Sequence, residues 1–224
     1  MSRALIVVTN HARFDGTNRA TGVWLAEATH FHDVMSQNGI AVDYVSPTGG
    51  FVPLDPESLA VSQMDALNWS YYGDDSYREK FLANSLAPEA IDPTAYDIIY
   101  FAGGHGVLWD LPHNQALGAI ATKIAAQGGI VAAACHGVVG LLAMGDFVNG
   151  KQLTGFTNEE EAINQLTTTV PFLTEDALKE AGAVYTKAAA YTENVVVAGR
   201  LVTGQNPQSA HQVGVAVVGL LQEA

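Results

Sequence analysis

The sequence predicts an α/β fold: a doubly wound, mostly parallel sheet with helices on both faces and an inserted cap segment. Two observations carry this. Short apolar runs rich in β-branched residues alternate with longer segments whose apolar residues recur at helical spacing. Two of the runs end abruptly, one at Ala102-Gly103-Gly104-His105-Gly106 and one at Cys135-His136-Gly137. Open sheets of this kind bind ligands at such strand ends.

The elements follow in order. Leu5 to Thr9 is a buried strand, and residues 10–22 are polar, carry Gly and read as a loop. From Trp24 to Asn38 the residues Trp24, Ala28, Phe31 and Met35 fall on one helical face, and Gly39 supplies the stop. Ile40 to Val45 is a second strand. The pattern then breaks. Residues 47–95 hold five of the 8 prolines and a Tyr/Asp-rich stretch, Ser70 to Tyr77. They are expected to lie over the sheet as an insertion with short helices, so that residues 1–224 form one domain.

Order returns at Tyr96 to Phe101, a strand. Asn114 to Gln127 is a helix with Leu117, Ile120 and Ile124 on its apolar face. Ile130 to Ala134 is the next strand, and Val138 to Met144 continues as an apolar helix. Residues 152–157 give a short extended piece, Glu159 to Leu166 a short helix, and Glu175 to Ala181 another. Ala183 to Ala188, Val195 to Ala198 and Leu201 to Gly204 are strands. Ser209 to Gln222, preceded by Asn206-Pro207, closes the chain as a helix. No internal repeat is visible.

Charge bounds the partners. Lys+Arg 10 against Asp+Glu 23 gives a net charge of −13, which disfavours nucleic acid and anionic membrane. The N-terminus carries one Arg and too short an apolar run for a signal peptide, and no run is long enough to span a bilayer. A cytoplasmic, reducing location is the simplest reading.

Cys135 is the only cysteine, so it acts as a thiol or not at all. A lone Cys is most often a small buried hydrophobe. Here three alanines precede it and a glycine follows His136, as a tight strand-to-helix elbow requires. The amides of the following helix are expected to lower the thiol pKa. His136 alone is a helix-start polar residue; beside an elbow Cys it is a candidate base. Gly103, Gly104 and His105 read either as a turn or as a close backbone approach to a ligand, with amides stabilising an oxyanion. Glu27 either faces water or, beside Trp24 and Leu25, is half buried with a raised pKa and shuttles a proton. Glu159, Glu160 and Glu161 open a helix, where surface charge is the ordinary reading. His30, His32, Asp33 and His105 match no zinc spacing, so no metal is expected.

These segments together resemble the ThiJ/PfpI superfamily, with the class I glutamine-amidotransferase-like, flavodoxin-like fold. The closer resemblance is to its glutathione-independent glyoxalase III and heat-shock holding-chaperone branch. It rests on Thr21 to Glu27, Ala102 to Gly106, Ala133 to Gly137, Leu153 to Thr157 and Leu201 to Ala210, in family order. The resemblance implies that Cys135 is the nucleophile, His136 its base and Glu161 the acid orienting it, with Glu160 one residue away as the alternative. It implies that Glu27 hydrogen-bonds the sulfur and that the amides of Gly104 and His136 form the oxyanion site. The activity implied is conversion of a small α-oxoaldehyde, methylglyoxal or glyoxal, to a hydroxy acid without cofactor, in a homodimer. Two other readings stand beside it. One is a cysteine hydrolase of the same fold acting on peptides or amides. The other is a holding chaperone or oxidation sensor, for which Trp69, Tyr71, Tyr72 and Tyr77 would supply an exposed apolar patch.

Overall fold

A computed structural model describes residues 2–223. Six strands form the main sheet: β1 (Arg3–Val7), β2 (Ala41–Val45), β3 (Ile98–Phe101), β4 (Ile130–Ala134), β7 (Val195–Ala198) and β8 (Leu201–Gly204). Their order is β2-β1-β3-β4-β8-β7, and all pairs are parallel except β7 with β8. Two further strands, β5 (Gln152–Leu153) and β6 (Val184–Tyr185), pair in parallel as a separate ribbon.

The central strands are continuous apolar runs because both faces are covered. Alternate side chains feed two cores. Leu5, Val7, Ile99, Phe101, Val131 and Ala133 face one way, where they meet the helix Gln115–Ala126 through Leu117, Ile120 and Ile124. Ala4, Ile6, Ile98, Tyr100, Ala132 and Ala134 face the other, against the helices Leu25–Gln37 and Ala210–Gln222. Phe31 stacks on Tyr100 with centroids 3.9 Å apart, fixing the first helix on β3. The expected layering is therefore what forms: β4, β7 and β8 have the expected ends, and those of β1, β2 and β3 shift by one or two residues.

Three expectations need correction. The helix expected over Val138 to Met144 starts at Cys135 itself and runs to Val148 as a 3-10 helix, interrupted at Met144 and Gly145. The strand expected over 183–188 is confined to Val184–Tyr185. The four aromatic residues of the insertion do not share an exposed patch. Tyr77 is buried against Tyr44 and Phe81, Tyr71 donates to Asp33, and of the four only Trp69 is mostly exposed.

Residues 47–95 contribute Val52, Tyr77 and Leu82 to the second core. Leu54 bridges Val23, and Leu86 bridges Val45 at the end of β2. The insertion is thus fastened at the carboxyl ends of the strands, the end at which Cys135 emerges. Among the described residues no helix is long and apolar enough to cross a membrane.

Candidate active site

The β4 backbone runs extended to Ala134 and turns at Cys135, whose φ is +55°. A non-glycine residue in the left-handed region is uncommon, and such strain collects at functional sites. The turn brings Cys135 to the wall of a cavity, while the residue stays buried.

On one side of the sulfur lies Glu27, in the first turn of the helix Leu25–Gln37 and fully buried. Its Oε2 accepts a hydrogen bond from the N–H of Gly103 at 2.8 Å, and its buried Oε1 has no hydrogen-bond partner. Burial pushes this carboxyl up to about 8, against the smaller opposing pull of the Gly103 amide and the Cys135 contact. A Cβ at Gly103 would stand 2.8 Å from Glu27 Oε2, so glycine is what lets the strand end approach the carboxyl. Gly103 therefore serves Glu27 and does not line the cavity. Gly104, with φ +105°, makes the turn and does line it.

On the other side lies His136. Its Nδ1 is 3.4 Å from Cys135 Sγ and its Nε2 is 2.8 Å from Glu161 Oε2. The second oxygen of Glu161 takes a second imidazole: Oε1 is 2.8 Å from His105 Nε2. Burial by itself would raise the Glu161 carboxyl. The facing His136 and the hydrogen bonds from both imidazoles outweigh burial and hold it well below the usual range. Burial, and then the neighbouring His136, push the His105 imidazole down.

The sequence left Glu160 and Glu161 as alternatives, and the side chains separate them. Glu160 turns away from His136. Its Oε2 accepts from Thr157 N and Oγ1 at 2.9 and 2.8 Å, closing a capping box at the start of the helix Asn158–Ile163. Its Oε1 accepts from Tyr191 N, Asn206 Nδ2 and Gln205 Nε2 at 2.8, 2.9 and 3.2 Å.

The expected low thiol pKa is not what the free site has. Burial pushes the Cys135 thiol well up, and the carboxylates of Glu27 and Glu160 add to this; the His136 amide opposes it but is outweighed. The push from Glu27 exists only while Glu27 is ionised. Once protonated, its O–H donates to the sulfur and favours the thiolate instead.

Cys135, His136, His105 and Gly104 line one cavity of about 470 Å³ with Trp24, Phe156 and Tyr191. Insertion residues Glu57, Ala60, Ser62 and Gln63 form its outer wall. Phe156 lies 4.3 Å from the His136 ring, ring centre to ring centre, and shields it. Phe156 and Tyr191 were missed in the sequence. Phe156 lay inside the quoted Leu153–Thr157 segment with no role, and Tyr191 sits in a polar stretch without motif.

The histidines weighed as metal ligands do not converge. His30 pairs with Asp65, His32 packs against Phe81 and Tyr71, and His105 is at Glu161. The set that does converge is His105, His136 and Glu161, with one ligand atom each within 4.8 Å of the others. An ion there would replace both hydrogen bonds to Glu161.

A cysteine on a strand-to-helix elbow, flanked by a helix glutamate and an adjacent histidine, sits here on a parallel sheet. Residues 19–220 match the DJ-1/PfpI family. The chain belongs to that family. Among DJ-1/PfpI relatives, it is 33% identical to the glutathione-independent glyoxalase HSP31 of Saccharomyces cerevisiae, covering 98% of each chain. It is 30% identical to glyoxalase 3 of Candida albicans, covering 99% of each. The crystal structure of glyoxalase III from Candida albicans superposes with a TM-score of 0.88 at 26% identity, covering 98% of this chain and 97% of that one. The Rapid Encystment Protein 24 kDa of Francisella tularensis superposes at 0.93 with 38% identity, covering 99% of each.

Proposed function

We propose that this DJ-1/PfpI protein is a cofactor-independent cysteine enzyme that converts methylglyoxal or glyoxal to the corresponding hydroxy acid. The observation that carries the proposal is the placement of one thiol between two buried carboxyl groups of opposite protonation. Glu27 is held as the acid up to about pH 8, and Glu161 is held ionised behind His136. The names of the relatives supply the substrate class.

His136 accepts the thiol proton as the Sγ–C1 bond to the aldehyde carbon forms, and the carbonyl oxygen takes a proton to give a hemithioacetal. Gly104 and His136 line the cavity, and their amides are the donors proposed to stabilise the charge that develops on that oxygen. The C1 hydrogen then leaves as a proton, and C2 receives one, through an enediol. Glu27 and His136 are the two groups within reach of the sulfur to carry it. The product is a thioester of the 2-hydroxy acid. Water cleaves it, releasing the acid and restoring the thiol. The net change is addition of water with an internal hydride-equivalent shift, so no external oxidant or reductant is consumed.

Insertion residues 57–63 wall the cavity above the thiol, which favours a small substrate over a peptide. The net charge of −13 supports the absence of nucleic acid and anionic membrane among the partners. The proposal includes one functional unit over residues 1–224, a cytoplasmic location and a homodimer, the last to be checked by sedimentation.

The test is formation of lactate from methylglyoxal by the purified protein with no glutathione or other thiol present. Wild type is expected to form lactate of one hand and Cys135→Ala none above the uncatalysed rate. Equal slow conversion by the two proteins would refute the proposal.

A further inference from the structure

We propose that Tyr191 sets the upper size of the substituent on the oxoaldehyde, and that Glu160 is the positioning residue that holds it there. The inference deepens the glyoxalase reading by naming what selects the substrate.

Tyr191 lines the same cavity as Cys135 and His136 and packs edge-on to Phe156 with centroids 6.2 Å apart. Its backbone is unusual: φ is +56°, which a bulky residue adopts only when its surroundings impose it. The surroundings do so through polar contacts. Residues 186–189 before it are exposed and carry no apolar anchor to the core. The N–H of Tyr191 donates to Glu160 Oε1 at 2.8 Å, and its hydroxyl donates to Asn164 Oδ1 at 2.6 Å.

Glu160 also gathers the neighbouring chain. Gln205, which donates to Glu160 Oε1, accepts from Ala188 N at 2.9 Å. Asn206 Nδ2 donates both to Glu160 Oε1 and to the carbonyl of Thr192, at 2.9 and 2.7 Å. A carboxylate with no exposed surface thus ties residues 188–192 to the helix that carries Glu161. The ring of Tyr191 is held as a wall by this hub and not by packing of its own loop. The Tyr191 ring packs on that of Phe156, which packs on His136, so removing the Tyr191 ring enlarges the cavity that holds the thiol.

The test compares methylglyoxal with phenylglyoxal, an α-oxoaldehyde whose substituent is an aryl ring. In Tyr191→Ala the kcat/KM ratio of phenylglyoxal to methylglyoxal is expected to rise about tenfold or more over wild type, the scale of a lost steric exclusion. Tyr191→Phe retains the ring and is expected to keep the ratio within about twofold of wild type. Glu160→Gln replaces the carboxylate by a neutral acceptor, weakening its hold on the Tyr191 N–H and on Gln205 and Asn206, and is expected to raise the ratio by a smaller factor, about threefold. An unchanged ratio in Tyr191→Ala overturns the wall. A raised ratio in Tyr191→Ala with none in Glu160→Gln overturns the role of Glu160. The same variants are read independently by alkylation of Cys135 with iodoacetamide and with N-phenyliodoacetamide. This needs only the thiol, so it decides the inference even if wild type forms no lactate. Folding of each variant is confirmed by its thermal melt.

Discussion

The two flanks of Cys135 carry the same functional group in opposite states. Glu27 is fully buried with one backbone donor and an apolar helix around it, and its carboxyl is raised to about 8. Glu161 is nearly as buried, yet two imidazoles bond its two oxygens at 2.8 Å and hold it ionised. Burial acts on both in the same direction. What differs is the number and kind of the donors, one backbone amide against two imidazoles, and this outweighs desolvation on one flank only. A site with one residue type on each side of a thiol thereby obtains a proton donor and an anchored base.

Substitutions at the two flanks break this asymmetry to different degrees. Loss of the nucleophile is largest: Cys135→Ala is expected to lower kcat at least about ten-thousandfold, read as lactate formed from methylglyoxal. Glu161→Gln keeps the volume but offers His136 a neutral amide in place of a carboxylate. A fall in kcat of about a thousandfold is expected, with the Cys135→Ala Glu161→Gln double variant no worse than Cys135→Ala alone. Glu27→Gln keeps the hydrogen bond to the sulfur and loses the transferable proton, at a cost of about a hundredfold in kcat.

The pH dependence sharpens the same contrast. The acid form of Glu27 exists below about 8, so kcat/KM is expected to fall as pH rises through about 8, and that limb is expected to vanish in Glu27→Gln. Stability follows with a defined sign. The folded-state pKa of Glu27 lies above its unfolded value of 4.5, so its contribution is fully present below about 4.5 and is lost as pH rises through about 8. Glu27→Gln does not titrate. Its Tm is expected to exceed that of wild type at pH 9 and to approach it at pH 4.5, the difference corresponding to about 5 kcal/mol.

Legibility in the sequence tracks what each region is made of. β4, β7 and β8 were read to the residue, because each is a short run of apolar and β-branched residues ended by a turn. The Cys135 elbow was legible for the same reason, as it interrupts an apolar run, whereas the residues around Glu27 left it between facing water and half burial and it is fully buried. Glu160 and Glu161 were not separable, since one helical step turns a side chain by about 100° and sends neighbours to different partners. The state of the thiol was misjudged because amide proximity can be read from an elbow, whereas burial depth and a facing carboxyl cannot. Tyr191 left no trace, as its place depends on Glu160, 31 residues away in sequence.

The most direct measurement is a carboxyl ¹³C NMR titration of protein labelled at the glutamate side chains, assigned by difference against Glu27→Gln and Glu161→Gln. At pH 7 the predicted spectrum has one protonated glutamate carboxyl, absent in Glu27→Gln and titrating near pH 8, while the Glu161 signal stays ionised down to the acid limit of the fold. A Glu27 signal already ionised at pH 6 would contradict the account.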